Sequence, residues 1–222
     1  MPISATRKAA IRAEIVEHAA RLFRLRGHAG TNIDDIMLAA GLTRGAFYAH
    51  FSSKDALFAE IVRMGHGLLP GLRAAEKPSS VLDEYLDREN LAATAQGCAL
   101  AALAGDVARA PLAARLAYAN VLHGVIAELA RGKKRSLDAD ATAVAILAVG
   151  AVILARASGD TRLSDWLLRC ASRAAKALMN AKPKKPPPKR RASPKKKRST
   201  SRRKAAAALP SRPSARSRGG RA

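Results

Sequence analysis

Residues 31–51 read TNIDDIMLAAGLTRGAFYAHF, and this run decides the fold. It spells two short helices joined by a tight turn. Thr31 stands at the expected N-cap of the first, with Asp34 three residues on as an Asp form of the capping box. Ile33, Ile36 and Met37 supply its apolar stripe, and Ala39-Ala40-Gly41 closes it. Gly41 brings the residue without Cβ that a tight turn favours. The second helix is expected from Thr43, another good cap, to about Phe51. Ala46 and Phe47 face inward, while Arg44, Gly45 and Tyr48 are presented away from them.

Working outward, residues 5–26 form an amphipathic helix. Ile11, Ile15, Ala19, Leu22 and Phe23 recur at three- and four-residue spacing, and Arg12, Glu14, Glu17, Arg21 and Arg24 fill the other face. Gly27 follows as a left-handed helix end. On the other side, Ser52 and Asp55 repeat the capping pattern and open a helix with Ala56, Leu57, Ile61 and Val62 inward. Gly65, Gly67, Pro70 and Gly71 should end or kink it. Helices are then expected at about 80–88, 98–109, 112–131, 137–157 and 162–180, with a polar loop over 89–97. Within the final one, Leu163, Trp166, Leu167, Cys170, Ala171, Ala174 and Leu178 mark one face.

Composition agrees. Nearly half of the 222 residues are apolar but only 4% are aromatic, and Ala and Leu dominate, which favours helix over sheet. The expected class is all-α: a three-helix helix-turn-helix domain at 1–52, a helical domain at 53–181, and a Lys/Arg/Pro/Ala-rich tail at 182–222. The net charge of +23 is concentrated in that tail. It holds 17 of the 40 Lys and Arg and none of the 17 Asp and Glu. Lacking core-forming residues, it is expected to be disordered. Cys98 and Cys170 stand apart with no Cys/His cluster, so neither a disulfide framework nor a metal site is expected. No cofactor is expected, and the absence of a phosphate-binding loop, nucleophile elbow or carboxylate pair argues against an enzyme. The run Ala141–Ala155 is short for a membrane span. With no signal-peptide pattern, a cytoplasmic, nucleoid-associated protein without membrane partners is expected.

A short capped helix presenting Arg, Gly and Tyr fits the major groove of double-stranded DNA, where a few side chains read base edges and the neighbouring helix fixes register on phosphates. Residues 15–62, IVEHAARLFRLRGHAGTNIDDIMLAAGLTRGAFYAHFSSKDALFAEIV, closely resemble the TetR/AcrR family of transcriptional regulators. The points of likeness are Ala19-x-x-Leu22-Phe23, Gly27, Gly30-Thr31, Ile33, Ile36, Ala40-Gly41, Thr43 to Phe51, and Lys54-Asp55-x-Leu57. The resemblance implies a repressor in which Thr31, Tyr48, His50 and Lys54 contact phosphates. Thr43, Arg44 and Gly45 would lie at the groove, with Arg44 reading a guanine edge. Plainer roles also fit: caps for Thr31 and Thr43, surface positions for Tyr48 and His50, a solvated charge for Lys54.

The C-terminal half resembles the family more loosely. That likeness implies a homodimer, needed for a palindromic operator, and a small-molecule effector of unknown identity. Dimer residues would be Val144, Leu147, Ala151, Leu163, Trp166, Leu167 and Cys170, with Ala143, Ala148 and Gly150 allowing close approach. The alternative is that both stripes serve the protomer's own core. Cys98, Leu103, Tyr118, Leu122 and His123 would line the effector pocket. Cys98 sits where some relatives sense oxidants or electrophiles, although a lone Cys among alanines is usually a small buried hydrophobe. The basic tail is expected to bind phosphate without sequence preference, and a nucleoid-compacting protein driven by that tail is the rival reading.

Overall fold

In a computed structural model, residues 4–131 and 138–181 are described. All belong to one compact unit spanning residues 1–182. The expected tail from residue 182 and the basic link 132–137 lie outside the described residues. No strand occurs among the described residues, and the expected all-α class holds.

The chain opens with α1 (Ala5–Arg26), capped by Ser4, and then α2 (Ile33–Ala39) and α3 (Arg44–Tyr48). Two caps fall one residue later than the sequence suggests. At α2, Asn32 and Asp35 exchange side-chain-to-backbone hydrogen bonds as a full capping box, in place of Thr31 and Asp34. Thr31 is not free to cap, because its buried hydroxyl donates to the Gly27 carbonyl at 2.9 Å. At α4 (Lys54–Met64), Ser53 accepts from the Ala56 amide, and Ser52 does not cap. Gly41, at φ +68°, makes the α2–α3 turn in the left-handed region expected of it.

Two cores follow. The first joins α1–α4 through Ile15, Phe23, Ile36, Phe47 and Phe58, all fully buried. Phe23 and Phe58 meet edge to face at 5.2 Å, and the Arg12 guanidinium lies 4.7 Å over Phe51. This core does not stop at residue 52. Leu57, Phe58, Ile61 and Val62 of α4 complete it, with Leu103 and Val107 from the chain beyond.

The second core is built by α5 (Leu68–Ala74), α6 (Pro78–Tyr85), α10 (Leu112–Leu129), α11 (Ala139–Ala157) and α12 (Thr161–Met179). Pro78 takes the first position of α6. A further helix, α7 (Arg88–Ala92), capped by Asp87, lies where a polar loop was expected. The expected helix 98–109 is two pieces, α8 (Ala99–Ala102) and α9 (Ala104–Arg109), broken at Leu103. α10 packs on both α4 and α11, so it bridges the two cores.

α11 is long and apolar enough to cross a membrane by length and composition, so the expectation that this run is too short is corrected. Its apolarity has another use: Val144, Ala148 and Val152 are buried in the second core, against α10 and α12.

Candidate nucleic-acid interface and effector cavity

α3 is five residues long, too short to be stable in isolation. It is held by Phe47, fully buried, which stacks near Phe51 at 5.7 Å. With that anchor inside, Thr43, Arg44, Gly45, Tyr48 and Ala49 are exposed together. Thr43 caps α3 by position only, and no backbone amide takes its hydroxyl, which leaves that group available to an external partner. A Cβ built on Gly45 would meet nothing within 4 Å. The protein's own packing therefore does not demand glycine here, and the missing side chain permits close approach from outside. Arg44 donates from Nη1 to the Asp34 carboxylate of α2, which restrains its guanidinium at the exposed face.

The expected phosphate contacts divide. Tyr48 is more than half exposed, as that role requires. Thr31 is 1% exposed with its hydroxyl engaged, so the side chain is not presented to an outer partner. Lys54 donates to the carbonyls of His28 and Thr31, both at 2.8 Å, and thereby staples the α1–α2 corner. It is half-buried and structural in this state. His50 is half-buried with Nδ1 unpartnered. Burial first, then the charges of Lys8 and Arg12, holds its pKa below the ordinary value, so the ring is neutral at pH 7. His28 packs on Phe58 at 4.7 Å and places Nε2 2.9 Å from Asp55. Its pKa is also lowered, by burial first and Lys54 next, against the pull of Asp55.

The residues expected to line an effector pocket are dispersed among the described helices. Leu103 is sealed in the first core, His123 is exposed, and the Tyr118 hydroxyl donates to the Leu100 carbonyl at 2.7 Å. Leu122 is half-buried and packs against the second core. Cys98 is 2% exposed, so its thiol is screened from solvent-borne reagents. Gly67, at φ +102°, makes that enclosure possible, since a Cβ there would come within 2.5 Å of the Cys98 Cα.

A cavity of about 690 Å³ instead opens against α5, α6 and α7, with Leu68, Val81, Tyr85 and Ala93 in its lining. The wall beyond α7 is tied down by two arginines. Arg24 of α1 donates to the Ala95 carbonyl at 2.7 Å, and Arg156 of α11 donates to the carbonyls of Leu91 and Asn90. The sequence carries no hint of these links, because they join residues more than 60 positions apart.

The expected dimer residues also divide. Leu163 and Trp166 are exposed, Leu167, Cys170 and Leu147 are half-buried, and Val144 and Ala151 are enclosed in the protomer's own core. Ala148 is likewise buried there. The outward face of α11 is carried by Ile146, Ile153 and Leu154, with Gly150 open beside them.

Residues 15–61 match the bacterial regulatory proteins of the tetR family. The chain is 38% identical over 81 residues to the HTH-type transcriptional regulator AcrR of Shigella flexneri, covering 34% of this chain and 38% of that one. It is 38% identical over 89 residues to the HTH-type transcriptional repressor KstR2 of Rhodococcus jostii, covering 39% and 42%. The matched stretch is thus under half the length of these relatives. The fold likeness reaches further: the reduced form of NemR from E. coli superposes with a TM-score of 0.61 at 22% identity, over 75% of this chain and 95% of that one. Residues 15–61, which carry α2 and α3, are thus similar to the tetR family of bacterial regulatory proteins, and the helical body behind them shares its fold with the NemR structure.

Proposed function

We propose that the protein is a cytoplasmic, ligand-responsive repressor that binds a palindromic operator as a homodimer and is released by a small molecule. The observation that carries this reading is the exposed set Thr43, Arg44, Gly45 and Tyr48, held on one short helix by the buried Phe47. Arg44 is the main reader of a base edge, and a restrained guanidinium suits bidentate contact with guanine. Tyr48 and His50 hold phosphates. Thr31 and Lys54 support this surface from beneath.

Dimerisation is supported by an apolar stripe facing water on α11 and α12. Ile146, Leu154 and Trp166 are each more than half exposed, a pattern that marks a surface made for another surface. A two-fold dimer gives the two reading heads that a palindrome needs. The cavity beside α7 is the effector site. Its wall is tied through Arg24 to α1, and α10 links the second core to α4. A ligand that favours one arrangement of these helices would change the separation of the two recognition helices and weaken DNA binding by differential affinity. The basic tail adds affinity for DNA without sequence preference.

The test is selection of bound duplexes from random sequence with the full chain, followed by footprinting. A discrete protected palindrome with half-sites one helical turn apart is expected. Uniform protection without a preferred site would replace this reading with DNA compaction.

A further inference from the structure

We propose that residues 87–96 form a detachable strap, held shut mainly by side-chain hydrogen bonds, whose release loosens the α1–α2 corner that seats the helix-turn-helix. The strap stands on packing and hydrogen bonding alone, and its effect on DNA rests on the operator-binding reading above.

The stretch DRENLAATAQ lies between two buried anchors. Leu86 precedes it and Gly97 and Cys98 follow it, all buried, and none of the ten residues between them is. Its one large apolar side chain, Leu91, is half-buried against the second core. That gives little hold, because hydrophobic stabilisation scales with the apolar area removed from water. The stretch is also thinly packed on both sides. Asp87, Glu89, Asn90 and Ala93 line the cavity of about 690 Å³, while Arg88, Leu91, Ala92 and Thr94 line a second one of about 570 Å³ against α11 and α12. A wall one chain thick between two hollows lacks the dense packing that fixes an interior.

What holds it is polar and comes from three helices. Arg24 of α1 donates to the Ala95 carbonyl, Arg156 of α11 donates to those of Leu91 and Asn90, and Arg88 of the strap donates to Asp165 of α12. At the first anchor, Asn90 donates to the Tyr85 carbonyl. The two arginines that reach in are not fully satisfied. Nη1 of Arg24 and Nη1 of Arg156 are buried without a hydrogen-bond partner among the described residues. A buried donor left unpaired costs free energy, and burial holds the Arg24 pKa below its ordinary value, so closure works against that cation. The strap's backbone bonds close within it, from the Leu91 amide to Asp87, from Ala93 to Glu89 and from Gly97 to Thr94. Release therefore breaks side-chain ties, and a single turn set free of them does not stay helical.

Arg24 links the strap to the head. It stands in the last turn of α1, next to Phe23 of the first core. The same turn seats α2: the Gly27 carbonyl accepts from Thr31, and Arg26 lies 4.0 Å from the Asp35 carboxylate. When Ala95 leaves, this turn loses a brace from the body, and the corner it supports is freer to move.

The experiment is hydrogen–deuterium exchange of the full chain, read by mass spectrometry, for the parent, Arg24→Met, Arg156→Met and the double variant. Methionine keeps an unbranched stem and removes the donors. In the parent, amides 88–97 are expected to exchange together, at least about 100-fold faster than those at the centre of α10. Each single variant should speed the whole strap by roughly tenfold, as for a lost hydrogen bond from a charged donor. The centre of α10 should keep its rate, which reports an intact fold. Arg156→Met should speed residues 28–39 in step with the strap. The double variant should exchange there no faster than Arg24→Met, because the tie is already broken. Strap amides as slow as those of α10, or acceleration confined to amides beside the replaced arginine, would overturn the strap. A corner unmoved by Arg156→Met would overturn the link. The selected duplex is then expected to slow strap exchange by at least about fivefold in the parent and not in Arg24→Met. A bound duplex that leaves the parent's strap rate unchanged would overturn the effect on DNA. If no duplex is selected, the operator reading falls, while the rates of the free protein still decide the strap and its link.

Discussion

The two outward surfaces of this molecule are built on opposite principles. On α3 the one large apolar side chain, Phe47, points inward, and what faces water at this helix is a hydroxyl, a guanidinium, a glycine and a phenol. Along α11 and α12 the core is filled by small residues such as Ala145, Ala148 and Ala171, and the large ones, Ile146, Leu154 and Trp166, are left outside. A polar face over an aromatic anchor loses little in water and suits a hydrated polyanion. An apolar face over an alanine core stays costly until another apolar surface covers it. Each half of the chain thus shows which partner it suits by where it spends its large side chains.

The comparison breaks first at Phe47. Phe47→Ala removes the anchor that holds α3, and a cost of about 3–5 kcal/mol is expected from loss of a fully buried ring. Denaturant unfolding should show the loss of stability, and site-specific DNA binding should vanish with it. Stability near that of the parent would mean that α3 is held by something other than its aromatic side. On the opposite surface, Trp166→Glu places a carboxylate in the centre of the apolar stripe. Dimer dissociation should strengthen by about 100-fold or more, read by sedimentation across a concentration series, while the protomer's helical content stays constant. An unmoved association constant would return that stripe to the role of bare surface.

Smaller and more selective is Arg44→Ala. Loss of about 1–3 kcal/mol, or roughly 5- to 150-fold, is expected for the selected operator, with binding to unrelated duplex nearly unchanged. Asp34→Ala sharpens it by removing the carboxylate that restrains Arg44 without removing the reader. It should relax discrimination at the contacted base by less than Arg44→Ala does. Equal weakening on all sequences would make Arg44 a phosphate contact.

These effects also mark how far the sequence could be read. The head was legible because its apolar residues follow helical spacing and its glycine sits at a turn that needs positive φ, as at Gly41. The caps slipped by one residue where two cap formers adjoin, at Thr31-Asn32 and Ser52-Ser53. At the first of these, the Gly27 carbonyl claims Thr31, a tertiary demand invisible in the local pattern. The break at Leu103 carries neither Pro nor Gly, and α7 is a single turn in a polar run, so spacing could reveal neither. The expected pocket residues scatter for another reason. α10 is apolar nearly all round, with Leu112 and Leu116 exposed and Ala114 and Ala117 buried. Hydrophobicity then does not say which face looks into the body, and residues chosen from it scattered over a core, a surface and a helix junction. For α11 the same ambiguity set Val144 and Ala151 outside when they belong inside.

The smallest effect concerns charge at the polar surface, and it has a definite sign. In the free protein, burial together with Lys8 and Arg12 holds the His50 pKa below its ordinary value, so the ring is neutral at pH 7. A phosphate beside it would favour the imidazolium and raise that pKa. DNA binding would then take up part of a proton, so affinity rises as pH falls from about 7.5 to 5.5, by less than about tenfold per pH unit for one site. His50→Gln keeps a hydrogen-bonding side chain and should flatten that part of the slope in anisotropy titrations with the selected duplex. His28, whose pKa is also lowered, works on a separate quantity. Because protonation is disfavoured in the folded state, its contribution to stability is full above about pH 6.5 and declines as pH falls below that. Thermal melts of the DNA-free protein read that decline directly, and the binding slope is read separately at pH values where the protein stays folded. If parent and His50→Gln then share one slope, His50 is a surface residue beside Phe47 and Phe51, and the phosphate face of α3 narrows to Tyr48.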